Sequence, residues 1–216
     1  MTAKRTPVKP RNYDSTLRTE AARDTRHRIL DAARVLFISS GYAGVTMQEV
    51  ADRSGVALDT VYAAVGRKPH LVRLLVETAI SSTDQAVPAD QRAYVQRIQA
   101  AATAREKLAI YAAAIVEIQG RLAPIVRALE SVAAAEPELA EIWREISERR
   151  ARNMKLFAGD LIKTGEVREE LGLDRVADVI WATNGPELYT LLVDQRGWSP
   201  SDLESWLADA WARLLL

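Results

Sequence analysis

A chain of 216 residues has room for one large or two modest domains. Its 48% hydrophobic residues, with 6% aromatics and few Gly or Pro, point to helices rather than sheets. The absence of cysteine excludes disulfides, thiolate metal sites and cysteine redox chemistry, and His27 and His70 have no metal-ligand spacing between them. The formal net charge of zero hides an imbalance. Residues 1–80 carry 13 Lys+Arg against 8 Asp+Glu, a net of +5, and the remainder carries 16 against 21, a net of −5. A basic head on an acidic body suits a protein that meets phosphate at one end. No apolar run is read as approaching the roughly 20 residues of a membrane span, and no signal peptide opens the chain. The expected location is therefore the cytoplasm.

Residues 1–13, with Lys4, Arg5, Lys9 and Arg11 beside Pro7 and Pro10, show no apolar period. A flexible basic arm over 1–23 is expected there, either solvated or reaching a DNA backbone. From about Asp24 to Ser40, Ile29, Ala33, Leu36 and Phe37 recur at i, i+4, i+7, i+8 and predict an amphipathic helix. Gly41 is its natural left-handed cap.

Two short helices follow, at about 46–53 and 57–63. Thr46 caps the first while Glu49 reaches back, the T-x-x-E capping box, and Gly55 supplies the backbone freedom of the turn between them. Val50 and Ala51 face inward, and Val56, Val61 and Tyr62 are expected to pack the second helix back on the first. This is the layout of a DNA-reading helix-turn-helix, although a plain helical hairpin explains the apolar positions and the glycine as well. Gly66-Arg67-Lys68-Pro69 breaks the chain, and Pro69 starts a connecting helix, 67–82, that carries Leu71, Leu74, Leu75 and Ala79.

The body, 83–216, reads as helices at about 89–101, 104–119, 122–135 and 137–164, then 174–195 and 200–216. In the long helix Leu139, Ile142, Ile146, Met154, Phe157 and Leu161 form an inward stripe. Arg149, Arg150 and Arg152 are expected toward solvent or paired with Glu145 and Glu148. Asn184-Gly185-Pro186 lies inside an apolar helix, and Pro186 should kink it and expose a carbonyl near 182. No strand has convincing alternation. The fold class expected is all-α, with an N-terminal helix-turn-helix domain over 24–66 and a helical body behind it.

Over about 24–80 the chain resembles the TetR family of bacterial transcriptional regulators. The resemblance rests on Ile29-Leu30-Asp31-Ala32-Ala33 through Phe37, on Gly41-Tyr42-Ala43-Gly44-Val45-Thr46-Met47-Gln48-Glu49-Val50-Ala51, on Gly55-Val56, on Val61-Tyr62, and on Arg67-Lys68-Pro69-His70-Leu71. It implies that Thr46 bonds a phosphate at a helix start, that Tyr62 presses its hydroxyl on another, and that Lys68 neutralises a third. Leu58, Asp59, Thr60 and Ala63 would face base edges in the major groove, and Gln48 joins this DNA-facing set. Two departures stand out. Ala57 occupies a position where the family usually has a small capping hydroxyl, and Ala64-Val65 replace a common histidine-aromatic pair.

One short helix reads too few bases, so such heads work as two-fold dimers about 34–36 Å apart on a pseudo-palindromic double-stranded operator. The expected homodimer surface is 174–216, through Val176, Val179, Ile180, Leu188, Leu191, Leu192, Trp206, Leu207, Ala210, Trp211, Leu214 and Leu215. The resemblance further implies a cavity for a largely apolar small-molecule effector. Tyr111, Gln119, Trp143, Asn153, Trp181, Asn184 and Tyr189 combine an apolar body with a polar tip and are its candidate lining. The expected protein is a ligand-released repressor, with no cofactor, no metal and no enzymatic activity. Two isolated histidines, no cysteine and no phosphate-cradling glycine loop argue against an enzyme. The alternative is a helical protein-interaction module without DNA binding.

Overall fold

The computed structural model describes residues 12–81, 87–133 and 136–216; the basic stretch 1–11 lies outside them. The described residues are helical, with no strand among them. They form α1 (Asn12–Ser40), α2 (Met47–Ser54), α3 (Leu58–Val65) and α4 (Lys68–Ser81). After these come a 3₁₀ turn (Ala89–Gln91), α5 (Ala93–Ala100), α6 (Ala104–Ala133), α7 (Pro137–Ile162), α8 (Leu173–Thr183), α9 (Pro186–Tyr189) and α10 (Pro200–Leu215). Helix α1 begins at Asn12, ahead of the start near Asp24 that apolar periodicity marks. The sequence of its first turns carries no apolar stripe by which to be recognised, and from Arg18 to Arg23 its residues are exposed.

Helices α1 to α4 enclose a core of Ile29, Ala33, Phe37, Val50, Val61 and Leu75, each fully or almost fully buried. Phe37 meets Tyr42 at a centroid distance of 5.8 Å. Gly41 ends α1 at φ 69°, its N–H bonding Phe37 O at 2.9 Å, and the next N–H, of Tyr42, bonds Ala128 O of α6 at 3.1 Å. The head is thereby fastened to the body, and its core continues without a break into Leu122, Ile125, Val126 and Leu129 of α6 and Leu139 and Ile142 of α7.

Helix α6 is the axis of the body. It runs unbroken through Gly120 and Pro124, where two helices are predicted. Packing decides this. Pro124 removes one backbone donor, but α1, α4, α5, α7, α9 and α10 all lie against α6, and the helix continues through it. At Gly120 the Tyr189 hydroxyl comes so near that a Cβ would lie 3.2 Å from it. The stretch Ala104–Leu129 of α6 is also long and apolar enough to cross a membrane, contrary to the reading that no such run exists. Here those apolar side chains form protein core instead: Leu108, Ala112 and Ile125 are fully buried.

A second core gathers Leu108, Ala158, Leu161, Val176, Ile180, Leu203, Trp211 and Leu215, all buried. Ser199 starts α10 with a capping box: its Oγ accepts from Asp202 N at 3.1 Å while Ser199 N donates to the Asp202 carboxylate at 3.2 Å. Pro186 does not kink a continuous helix. Helix α8 ends at Asn184, and Pro186 opens α9, which passes into a π-helical turn over Thr190–Gln195. The carbonyl freed by the break is that of Asn184, which accepts from Gln119 Nε2 at 2.6 Å.

Candidate functional site

The two short head helices are built as their residues dictate. Thr46 Oγ1 accepts from Glu49 N at 3.2 Å and Thr46 N donates to the Glu49 carboxylate at 2.7 Å, completing the capping box. These bonds hold the Glu49 carboxyl below the usual carboxylate range. Gly55 adopts φ 69°, a left-handed conformation that a side chain would strain, and its N–H reaches back to α2. Arg28 of α1 donates to Ser54 O at 3.3 Å and steadies the turn.

Helix α3 buries Val61 and Val65 and leaves Asp59, Thr60, Tyr62 and Ala63 exposed. Tyr62, 45% exposed, is a large apolar ring left at the surface with its phenol free to meet a partner. Leu58 is half-buried and packs on the head core, so it presents less to the outside than its neighbours. Gln48 is exposed on α2 and donates to Asp52 Oδ1 at 2.8 Å. Ala57 occupies the N-cap of α3 with no side-chain hydrogen bond, the gap that its methyl side chain foretells.

Lys68 differs from the expectation. Its Nζ is folded inward, donating to Tyr42 O at 2.5 Å and lying 4.1 Å from the Tyr42 ring centroid. Burial lowers its pKa, opposed by the Glu136 and Glu49 charges. In this arrangement its charge joins α4 to the end of α1 and is not presented to an external phosphate. The reason is tertiary: the Tyr42 carbonyl and ring meet Lys68 only once α1 and α4 pack.

Behind the head, α6, α7 and α8 together with the 87–100 segment enclose a cavity of about 600 Å³. Of the predicted lining residues, Tyr111, Gln119, Trp143, Asn153 and Trp181 face it. Asn184 and Tyr189 stand behind its wall. Asn184 is almost wholly buried and donates through Nδ2 to Tyr111 Oη at 2.8 Å, and Tyr189 packs by Gly120. Burial raises the Tyr111 pKa steeply, so the phenol stays neutral. Its ring stacks on Trp211 at 5.6 Å and tilts against Phe157 at 4.9 Å. Lys107, 4% exposed, ties two lining residues together by donating to Ile98 O and to Asp160 Oδ2, each at 2.7 Å.

Arg150 was not legible as part of this site. The pattern assigns it to solvent or to an i, i+4 pair, but the helix turns it inward, where its guanidinium carbon lies 4.5 Å from the Trp181 ring centroid. Arg152 does pair with Glu148, at 3.9 Å, and Arg149 instead reaches Glu77 of α4 at 3.4 Å. Further down the same interface Arg73 meets Glu145 at 2.5 Å and Arg67 meets Glu138 at 2.8 Å. Three ion pairs therefore span α4 and α7, one of them from the cavity wall.

On the predicted dimer helices, Val176, Ile180, Leu207, Trp211 and Leu215 are spent on the subunit's own core. Leu191, Trp206 and Leu214 remain exposed, as does Leu173 at the start of α8. Trp206 meets Trp198 edge to face at 6.2 Å. Among the described residues no group of three or more His, Asp or Glu side chains is placed to hold a metal ion.

Comparison with known proteins bears on the head and on the fold separately. Residues 29–73 match the model of the bacterial regulatory proteins of the tetR family. A stretch of 59 residues is 44% identical to the HTH-type transcriptional repressor KstR of Mycobacterium tuberculosis and 42% identical to that of Mycolicibacterium smegmatis. The match spans only 27% of this chain and 27% and 29% of those relatives. The whole fold resembles the fatty acid degradation regulator FadR of Bacillus halodurans, with TM-score 0.69, 18% identity, and coverage of 87% of this chain and 94% of the other. It also resembles Bacillus subtilis FadR, solved in complex with stearoyl-CoA, with TM-score 0.66, 20% identity, and coverage of 86% and 97%.

Proposed function

We propose that the chain is a TetR-family regulator, a dimeric transcriptional repressor released from its operator by a small molecule, a reading supported by the match of residues 29–73 to that family. The observation that carries the reading is the head itself: two capped or turn-locked short helices, with α3 presenting Asp59, Thr60, Tyr62 and Ala63 outward from a closed core. A helix so displayed fits the major groove, and helix N-termini offer free N–H groups to phosphate. Thr46 and Tyr62 supply the phosphate grip, Gln48 flanks it, and Leu58 contributes the edge of its side chain. Lys68 acts by locking α4 to the head, and swings out only if DNA draws it. A protein-interaction module would need no such exposed polar face on so short a helix.

The operator is double-stranded and pseudo-palindromic, and the homodimer forms through the 174–216 helices, where Leu191, Trp206 and Leu214 await cover. Such a protein works in the cytoplasm, without catalysis. Its effector occupies the cavity lined by Tyr111, Gln119, Trp143, Asn153 and Trp181, with Asn184 and Tyr189 supporting the wall. Release works by differential affinity. A ligand that favours one placement of α7 acts on α4 through Arg149–Glu77, Arg73–Glu145 and Arg67–Glu138, and the spacing of the two heads follows.

The test is selection of binding sites from random duplex DNA, followed by affinity measurement on the selected site. A two-fold motif bound by two chains, with steep salt dependence, is expected. Tyr62→Ala should weaken it about tenfold or more while leaving the melting temperature near that of the parent. Failure to enrich any sequence overturns the reading.

A further inference from the structure

Arg150 is anomalous among the arginines of α7. Its Nε is buried without a hydrogen-bond partner, and no carboxylate of the described residues lies within ion-pair distance. Burial lowers the pKa of its guanidinium, and the nearby Glu187 only partly offsets this. Glu187 and Arg150 approach each other around Gly185, a residue where any Cβ would strike the Glu187 carboxylate. The Nε edge of this part-buried guanidinium is thus removed from water with no acceptor of its own, and the neighbouring Glu187 carboxylate stops short of ion-pair distance, so a further anion would meet a need that the subunit leaves open.

Two further atoms on the same cavity wall point the same way. The indole N–H of Trp181, on which Arg150 stacks, is buried and unpartnered. The Gln119 carbonyl oxygen is also buried without a partner, although its amide nitrogen is engaged, and Gln119 is 4% exposed. The lining of the same cavity of about 600 Å³ includes the apolar Ile115, Ile118, Leu122 and Phe157, with further charged groups at Arg92, Asp160 and Lys163. Apolar surface in one cavity with unmet polar donors is the complement of an amphipathic anion.

We propose that the cavity takes an amphipathic carboxylate, its head bound by the Arg150 guanidinium beside the Trp181 N–H and its apolar body lying along Ile115, Ile118 and Phe157. The assignment rests on the reading of this cavity as the effector site. Arg150 is the specificity-determining residue, because guanidinium donors match a carboxylate's two oxygens and a neutral head of the same length leaves them unmet. The neighbouring Glu187 carboxylate competes for the same donor, and so weakens binding of any anion there.

The probes are dodecanoate and dodecan-1-ol, titrated into the full-length protein by calorimetry. The parent protein should bind dodecanoate about 10- to 100-fold more tightly than the alcohol. Arg150→Gln should erase that preference and leave alcohol binding within about twofold, and Arg150→Lys should retain part of it. Glu187→Gln, which leaves Arg150 in place, should strengthen dodecanoate binding and leave the alcohol unchanged, so the proposal can be tested even where Arg150→Gln does not fold. Equal affinity for the two probes, binding of neither, or a preference that survives Arg150→Gln overturns it. Operator release is read separately. Dodecanoate binding through Arg150 that leaves operator affinity unchanged upholds the carboxylate site and overturns the effector role. Release by the alcohol as readily as by the acid overturns the head-group assignment and upholds that role.

Discussion

The head and the body use the same devices to different ends. Both contain a helix opened by a complete capping box, Thr46 with Glu49 in the head and Ser199 with Asp202 in the body. Both close over fully buried aromatics, Phe37 in one and Trp211 in the other. The head packs Ile29, Phe37, Val50, Val61 and Leu75 to full burial and turns Asp59, Thr60, Tyr62 and Ala63 of α3 outward. The body turns polar atoms inward around a large cavity and leaves Gln119, Arg150 and Trp181 incompletely paired there. A surface that reads a rigid duplex is best held fixed, whereas a site that responds to a ligand keeps unmet interactions in reserve.

The sharpest way to break this contrast is to remove core side chains from each half. Phe37→Ala should destabilise by about 3–5 kcal/mol, since nothing nearby can collapse into the space. Ile115→Ala, on the cavity wall, should cost near the low end of about 2–5 kcal/mol, because the side chain already borders empty volume. Denaturant unfolding measures both, and equal losses would show that the body core is as tight as the head.

The capping boxes form a matched pair. Thr46→Ala and Ser199→Ala should each lower stability by about 1 kcal/mol. Only Thr46→Ala should also weaken DNA binding, and a loss of DNA affinity in Ser199→Ala would dissolve the distinction. A smaller change of opposite sign is expected at Ala57, the uncapped start of α3. Ala57→Ser should raise stability by about 0.5–1 kcal/mol, read as a higher melting temperature.

The smallest effect is a pH dependence. The Thr46 backbone and hydroxyl hold the Glu49 carboxyl below its ordinary range, and Ser199 does the same for Asp202. A carboxyl whose value is lower folded than unfolded adds stability above its unfolded value and loses it as pH falls through the folded one. The melting-temperature gap between parent and Thr46→Ala should therefore narrow on acidification below the carboxylate range. A gap that stays constant with pH would mean that Glu49 contributes nothing through its charge.

Local chemistry made most of the head legible. T-x-x-E, the Gly41 and Gly55 stops, and the apolar period through Phe37 concern residues within one turn of each other, so spacing alone predicts their partners. The missing cap at Ala57 was visible for the same reason. Five of the seven candidate cavity residues also face the cavity, because an aromatic or amide on an inward stripe has few other places to go. Periodicity failed where distant elements decide. It split α6 at Gly120, although packing on six other helices carries the helix through. The resemblance, for its part, turns Lys68 toward a phosphate, whereas the Tyr42 carbonyl and ring draw it in.

What the sequence determined by itself is the all-helical class, the helix-turn-helix and the asymmetry of charge, since each depends on residue type and on contacts a few positions apart. The tertiary structure decided which side chains share the cavity. Arg150 lies between two arginines that pair elsewhere, and a step of one or two residues, about 100–200° around the helix, turns a side chain from those partners toward the cavity. Its meeting with Trp181, 31 positions along the chain, exists only because α8 lies against α7.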